Sequence, residues 1–157
     1  MRISRDDMLM QTAQVVSRRG TCNRLQVGAV IALDGRIIST GYAGAPAGLP
    51  HCSPDTCNVD NPCTRTVHAE AGAIAYAARS GIKVQGATLY CTHCPCIDCS
   101  KLIINSGILN VYYATPYRKT EGLELLISAG VGAYHWQESQ LRDVPSVGVN
   151  RAHLPMG

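Results

Sequence analysis

The run ATLYCTHCPCIDCSKLIINSGILNVYYA, residues 87–114, decides the fold. It opens with Ala87 to Cys91, a short apolar stretch that reads as a strand. Pro95 to Ser106 then reads as a helix, with proline in its first turn and Gly107 just past its end. Ile108 to Ala114 returns to branched and aromatic residues and reads as a second strand. The order continues outward in both directions. Thr120 to Ala129 is helical in composition and Val131 to Trp136 is a final strand, while Val67 to Ser80 forms a helix closed by Gly81. Alternation of this kind predicts an α/β fold, a mixed and largely parallel sheet covered by helices on both faces.

The N-terminal part adds a helix and a hairpin. Ser4 caps a helix running to about Arg19, with Asp6 and Asp7 suited to its positive first turn. Met8, Leu9, Val15 and Val16 are expected on its buried side, and Gly20 ends it. Val27 to Leu33 is an apolar strand, Asp34-Gly35 a two-residue turn, and Arg36 to Thr40 the returning strand. Gly41 to Thr66 shows no periodicity, and a loop of that length is usually functional or externally braced. From Gln137 the chain reads as an irregular tail or packing arm. There is no internal repeat, so residues 1–157 are read as one domain.

Composition narrows the function. The net charge of +3 gives no reason to expect nucleic acid or membrane as partner. No apolar run approaches the roughly 20 residues of a membrane span, and the first residues lack the apolar stretch of a signal peptide. A cytoplasmic location is therefore expected. Thiols stay reduced there, so eight cysteines point to metal binding rather than disulfides. Phenylalanine is absent, which leaves the core to aliphatic residues and tyrosine.

Two segments carry the chemistry. His68 and Glu70 open one predicted helix, and Cys96 and Cys99 open the next. Cysteines three apart in a first turn share a face, so both sulfurs can reach one ion. His68 as third ligand gives a Cys₂His zinc site with one position open, the mark of a catalytic centre. Helix starts favour thiolates and other negative charge. Two thiolates weaken the ion as a Lewis acid, which makes a nearby base valuable. Glu70, two residues beyond the ligand, can serve as that base without replacing the water. A zinc-stabilised binding module with no catalysis is the contrary reading, and it has no use for an unliganded acid.

The pattern H-x-E followed by P-C-x-x-C is a known signature of zinc base deaminases and is identified here as such. In that chemistry water adds to C4 of cytosine, Glu70 relays protons to N3 and to the departing amino group, and uracil remains. Beyond the signature, the chain resembles the deoxycytidylate (dCMP) deaminase family, of bacterial and phage type, from about Ile3 to Trp136. Val27 to Ile31, Gly41 to Cys52, Cys63 to Glu70, Val111 to Tyr113 and Tyr117-Arg118 are similar to its strands and loops. The resemblance implies a three-layer α/β/α fold with a five-stranded mixed sheet, and commonly a hexamer. It implies hydrolysis of dCMP to dUMP, which supplies the precursor of dTTP. It also implies that backbone groups near Ala69 and Cys94 hold the pyrimidine edge. Activation by dCTP and inhibition by dTTP, each with Mg²⁺, are common in such relatives. The family usually has Asn where this chain has Ala43 and Gly72, two amides that could hold sugar or effector. A substrate range extending to dCTP, cytidine nucleosides or tRNA adenosine is the alternative.

Cys22, Cys52, Cys57 and Cys63 remain, with His51 beside one of them. Four thiolates, or three plus His51, would form a closed structural zinc site bracing the long loop; free thiols or a disulfide would be the plainer explanation. Cys91 is read as a small core residue, Cys94 as a neighbour of the zinc rather than a ligand, and His93 as a loop residue near the substrate that is more simply an ordinary hydrogen-bonded histidine. Arg24, Arg65, Arg118 and Lys119 are loop cations near it. Arg24 and Tyr117 are expected to touch substrate. Gly41, Tyr42, Gly44 and Pro46 form a loop for substrate or effector, although turn chemistry alone also explains Gly and Pro there.

Overall fold

The computed structural model describes residues 2–57 and 63–137, and the expected tail beyond Gln137 lies outside them. In chain order the elements are α1 (Arg5–Ser17), β1 (Gly28–Leu33), β2 (Arg36–Tyr42), α2 (Ala69–Arg79), β3 (Thr88–His93), α3 (Ile97–Asn105), β4 (Asn110–Thr115), α4 (Glu121–Ser128) and β5 (Gly132–His135). The five strands form one sheet in the order β2-β1-β3-β4-β5. β1 is antiparallel to both β2 and β3, whereas β3, β4 and β5 run parallel. The mixed α/β sheet expected from the alternation is present. Asp34 (φ 51°) and Gly35 (φ 74°) both take positive φ, the backbone that a two-residue hairpin turn needs.

Strand side chains alternate between faces, and the two cores follow that alternation. Ala29, Ile31, Leu89, Cys91 and Val111 pack with Ala69 and Ala73 of α2, Ile103 of α3 and Leu126 of α4. Val30, Ala32, Tyr90 and Trp136 pack with Leu9, Met10 and Ala13 of α1 on the opposite face. The result is three layers, with α1 alone on one side.

α1 is capped as expected, Ser4 Oγ accepting from Asp7 N at 3.0 Å. Its buried face is rotated from the expected one. Met8 and Val15 are 40% and 63% exposed, while Leu9, Met10 and Ala13 are buried and Val16 packs partly against them. The two acids of the first turn also do more than offset the helix dipole. Asp6 accepts from Tyr90 OH at 2.5 Å and Asp7 from Trp136 Nε1 at 2.9 Å, which ties the start of α1 to the sheet.

Two glycines make opposite demands. A Cβ on Gly41 would lie 2.2 Å from Ala69 O and 2.5 Å from Ala73 N, so α2 rests directly on the β2 backbone. A Cβ on Gly72, inside α2, would meet nothing nearer than 3.9 Å. Gly41→Ala should therefore destabilise the fold by about 1–3 kcal/mol through overpacking. Gly72→Ala should stabilise it by about 0.5–1 kcal/mol through helix propensity. Thermal unfolding checks both, and the reverse order of melting temperatures would refute this packing account.

Candidate active site

Two helix starts meet above the sheet. His68 is the N-cap of α2 and Cys96 the N-cap of α3, with Cys99 in the first turn that follows. Pro95 accordingly precedes the helix instead of occupying its first turn. The Cys96 and Cys99 sulfurs each lie 3.4 Å from His68 Nδ1. All three ligand atoms fall within 4.8 Å of one another. A tetrahedral zinc ion with ordinary Zn–S and Zn–N bonds holds such atoms about 3.5 Å apart, so the arrangement fits zinc.

The protonation pattern agrees with a ligand set. Hydrogen bonds from the Cys99 thiol and from His68 pull Cys96 down to about 3. The same bond to Cys96 raises His68 to about 9, against the opposing effect of burial. Cys99 is held up by its bond to Cys96 and by burial. The cluster thus favours the thiolate at Cys96, and metal binding would displace the remaining protons.

Glu70 is 4% exposed, is the second residue of α2, and interacts electrostatically with His68 and Cys96. Burial raises its carboxyl above the ordinary range, which moves a proton carrier toward neutrality. Cys91, fully buried in β3, shares a side-chain hydrogen bond with Glu70. Sequence reading placed Cys91 only in the core. Its signal was the alternation, since Leu89 and Cys91 face α2 together.

A cavity of about 410 Å³ opens at this centre. Of the expected contacts, Arg24, Ala69, Cys94 and Tyr117 all line it, as do His68, Glu70 and Cys96. One role changes. Cys94 N donates to Thr115 O at 2.8 Å, so only its carbonyl is left to meet a pyrimidine edge. The amide of Ala69 is in the first turn of α2, where no helical carbonyl is available to it. From the stretch Gly41 to Gly48, Ala43 is the residue that lines the cavity. Gly41 serves packing against α2, Gly44 bridges to Val67, Tyr42 is 41% exposed, and Pro46 O accepts from Leu49 N at 3.1 Å. Leu25, Val27, Thr66 and His93 also line the cavity. The first three escaped the sequence reading because nothing local marks them.

The other cysteines gather differently. Cys52 and Cys63 Sγ lie 3.9 and 3.3 Å from Thr66 Oγ1, and Cys22 bonds the same side chain. Side-chain and backbone bonds from Thr66 bring Cys63 down to about 7. Burial pushes Cys22 up, but the amides of Arg24 and Leu25 leave it lowered overall. Cys57 closes a turn through its amide to Ser53 O at 2.9 Å, and His51 is exposed. Among the described residues, the one metal-compatible group is His68, Cys96 and Cys99.

A three-layer α/β/α sheet that brings a Cys₂His cluster over a buried, unliganded glutamate defines a zinc-type hydrolytic deaminase. The profile described as "Cytidine and deoxycytidylate deaminase zinc-binding region" matches residues 3–115, and the chain belongs to that family. It is 44% identical over 132 residues to ComE operon protein 2 of Bacillus subtilis, covering 83% of this chain and 70% of that one. It is 30% identical over 183 residues to the deoxycytidylate deaminase of Enterobacteria phage T4, covering 90% and 95%. Among solved structures, the dCMP deaminase of cyanophage S-TIM5 in complex with dCMP and dUMP is 34% identical, with a TM-score of 0.78 over 87% of this chain and 99% of that one. No described helix is long and apolar enough to cross a membrane.

Proposed function

We propose that this protein hydrolyses dCMP to dUMP and ammonia. The observation that carries the reading is the buried Glu70 carboxyl, which lines the same cavity as His68 and Cys96 of the His68–Cys96–Cys99 cluster. The relatives named deoxycytidylate deaminase support the choice of substrate.

Zinc held by His68, Cys96 and Cys99 would supply Lewis acidity, lowering the cost of deprotonating water. Glu70 takes a proton from the attacking water and delivers it to N3 as the oxygen bonds to C4. It then carries the second water proton to the 4-amino group, the C4–N bond breaks, and ammonia leaves with a 4-oxo group in place. The Ala69 amide faces the 2-oxo side, and the Cys94 carbonyl accepts from the amino group. Arg24 and Tyr117 are the candidate phosphate contacts, an Arg fork being suited to phosphate oxygens.

The same reading places a second, structural zinc on Cys22, Cys52, Cys57 and Cys63, with His51 as alternative ligand; the Cys22 and Cys63 sulfurs already accept backbone amides, as thiolate ligands do. Cys57→Ser should then lower bound zinc by one ion per chain and loosen the loop. Metal analysis that finds unchanged stoichiometry would remove Cys57 from the set. The same reading takes the chain as one domain working in the cytoplasm as a hexamer, with dCTP and dTTP bound with Mg²⁺ as effectors near Gly41 to Gly48. Ala43 and Gly72 bring no side-chain amide to those contacts.

The test is ammonia release from dCMP and from dCTP in parallel, with Mg²⁺ and with or without dTTP. Turnover of dCMP suppressed by dTTP is expected. Preference for dCTP, or indifference to dTTP, would overturn the assignment of substrate or of control respectively.

A further inference from the structure

His93 ends β3 on the wall of the cavity, paired in register with Thr115 and two residues before Pro95. Its ring is held from behind. Gly28 N donates to Thr92 Oγ1 at 3.1 Å, and Thr92 Oγ1 lies 3.0 Å from His93 Nδ1. Thr92 is 7% exposed, so its single hydroxyl proton needs a partner inside the protein. If Nδ1 carried the ring proton, the Thr92 oxygen would accept twice and its own proton would have no described acceptor. The network is satisfied when Gly28 N–H points to Thr92, Thr92 O–H points to Nδ1, and the ring proton sits on Nε2. Burial alone lowers the imidazole, which keeps it neutral.

We propose that His93 is a positioning residue for the substrate, presenting a fixed Nε2–H donor to a proton-free oxygen of the nucleotide. The strongest such acceptors are the terminal phosphate oxygens and the oxygen at ring position 2. A neutral donor of set tautomer suits either, because its N–H demands an acceptor and is too weak an acid to be lost near neutral pH. The inference rests on the nucleotide-deaminase reading of this cavity.

The test compares the unaltered protein with His93→Leu, His93→Gln, Thr92→Val and Thr92→Ser, each checked for zinc content and melting temperature. The readouts are kcat and KM for dCMP, and calorimetric Kd for the product dUMP. His93→Leu should raise KM and Kd about tenfold with kcat within about threefold, the signature of binding lost equally from ground and transition states. His93→Gln, which restores an N–H at a similar reach, should recover most of the loss. Thr92→Val should fall between, and Thr92→Ser should match the unaltered protein. An effect seen with dCMP but not deoxycytidine places the acceptor on the phosphate; equal effects place it on the ring. Equal behaviour of the Leu and Gln variants, or losses that track melting temperature alone, would overturn the inference. Absence of both turnover and dUMP binding in the unaltered protein would instead overturn the deaminase reading, and this inference with it.

Discussion

Glu70→Gln should lower kcat for dCMP by roughly 10³–10⁴-fold while zinc content and fold stay intact, the upper range for loss of one general acid–base group. The upper range is expected because one carboxyl serves two proton transfers, to N3 and to the leaving amino group. Gln has the same shape and keeps an oxygen for the Cys91 bond, so the fold has no reason to change. It also carries no charge. The burial that raises Glu70 penalises only the ionised form, so the variant should melt at the same temperature or higher. Substrate binding should survive, and KM should move far less than kcat. Stopped assays for ammonia, zinc analysis and thermal melts settle the matter together. Turnover within tenfold of the unaltered protein would sink the role given to Glu70.

The second large effect concerns the metal. Cys99 is 2% exposed, with its sulfur 3.4 Å from His68 Nδ1. Cys99→Ala should cost one zinc ion per chain and lower activity by more than about a thousandfold. Lewis-acid stabilisation is worth several kcal/mol, and each ~1.4 kcal/mol is a factor of ten. Added zinc should restore little, because two ligands no longer close the site. Chelation of the unaltered protein should give the same loss, but reversibly. Full activity in a zinc-free preparation would remove the metal from the account.

Much of this was legible from the chain because punctuation was dense. Asp34-Gly35, Gly81, Pro95 and Gly107 mark turns and ends, and the elements fall within about two residues of where those residues put them. His68, Glu70, Cys96 and Cys99 were legible because their spacing is local and chemically specific. The buried face of α1 was not. Met8 and Val15 are as apolar and as periodic as Leu9 and Val16, and only the sheet decides which pair turns inward. The occupied amide of Cys94 was hidden for a similar reason, since β3 runs on to His93 and pairs with Thr115 beyond the apolar stretch. The tautomer of His93 depends on Gly28, whose amide lies 64 residues from Thr92 in sequence. The gathering of Cys22, Cys52 and Cys63 at Thr66 likewise depends on how a long loop folds back, which no local pattern encodes.

The contact of Gly41 with α2 has a mechanical consequence. Where the strand passes under the helix there is no side chain to act as a cushion, and just beyond it Gly44 and Val67 exchange two hydrogen bonds, at 3.2 and 2.8 Å. Ala43 on the cavity wall and His68 at the helix start are thus mounted on one stiff bracket. Packed elements of this kind shift as bodies and transmit strain. A molecule that pries at the wall therefore pushes on the metal ligand as well, and the protein should register it as a change of pace more than as a change of grip.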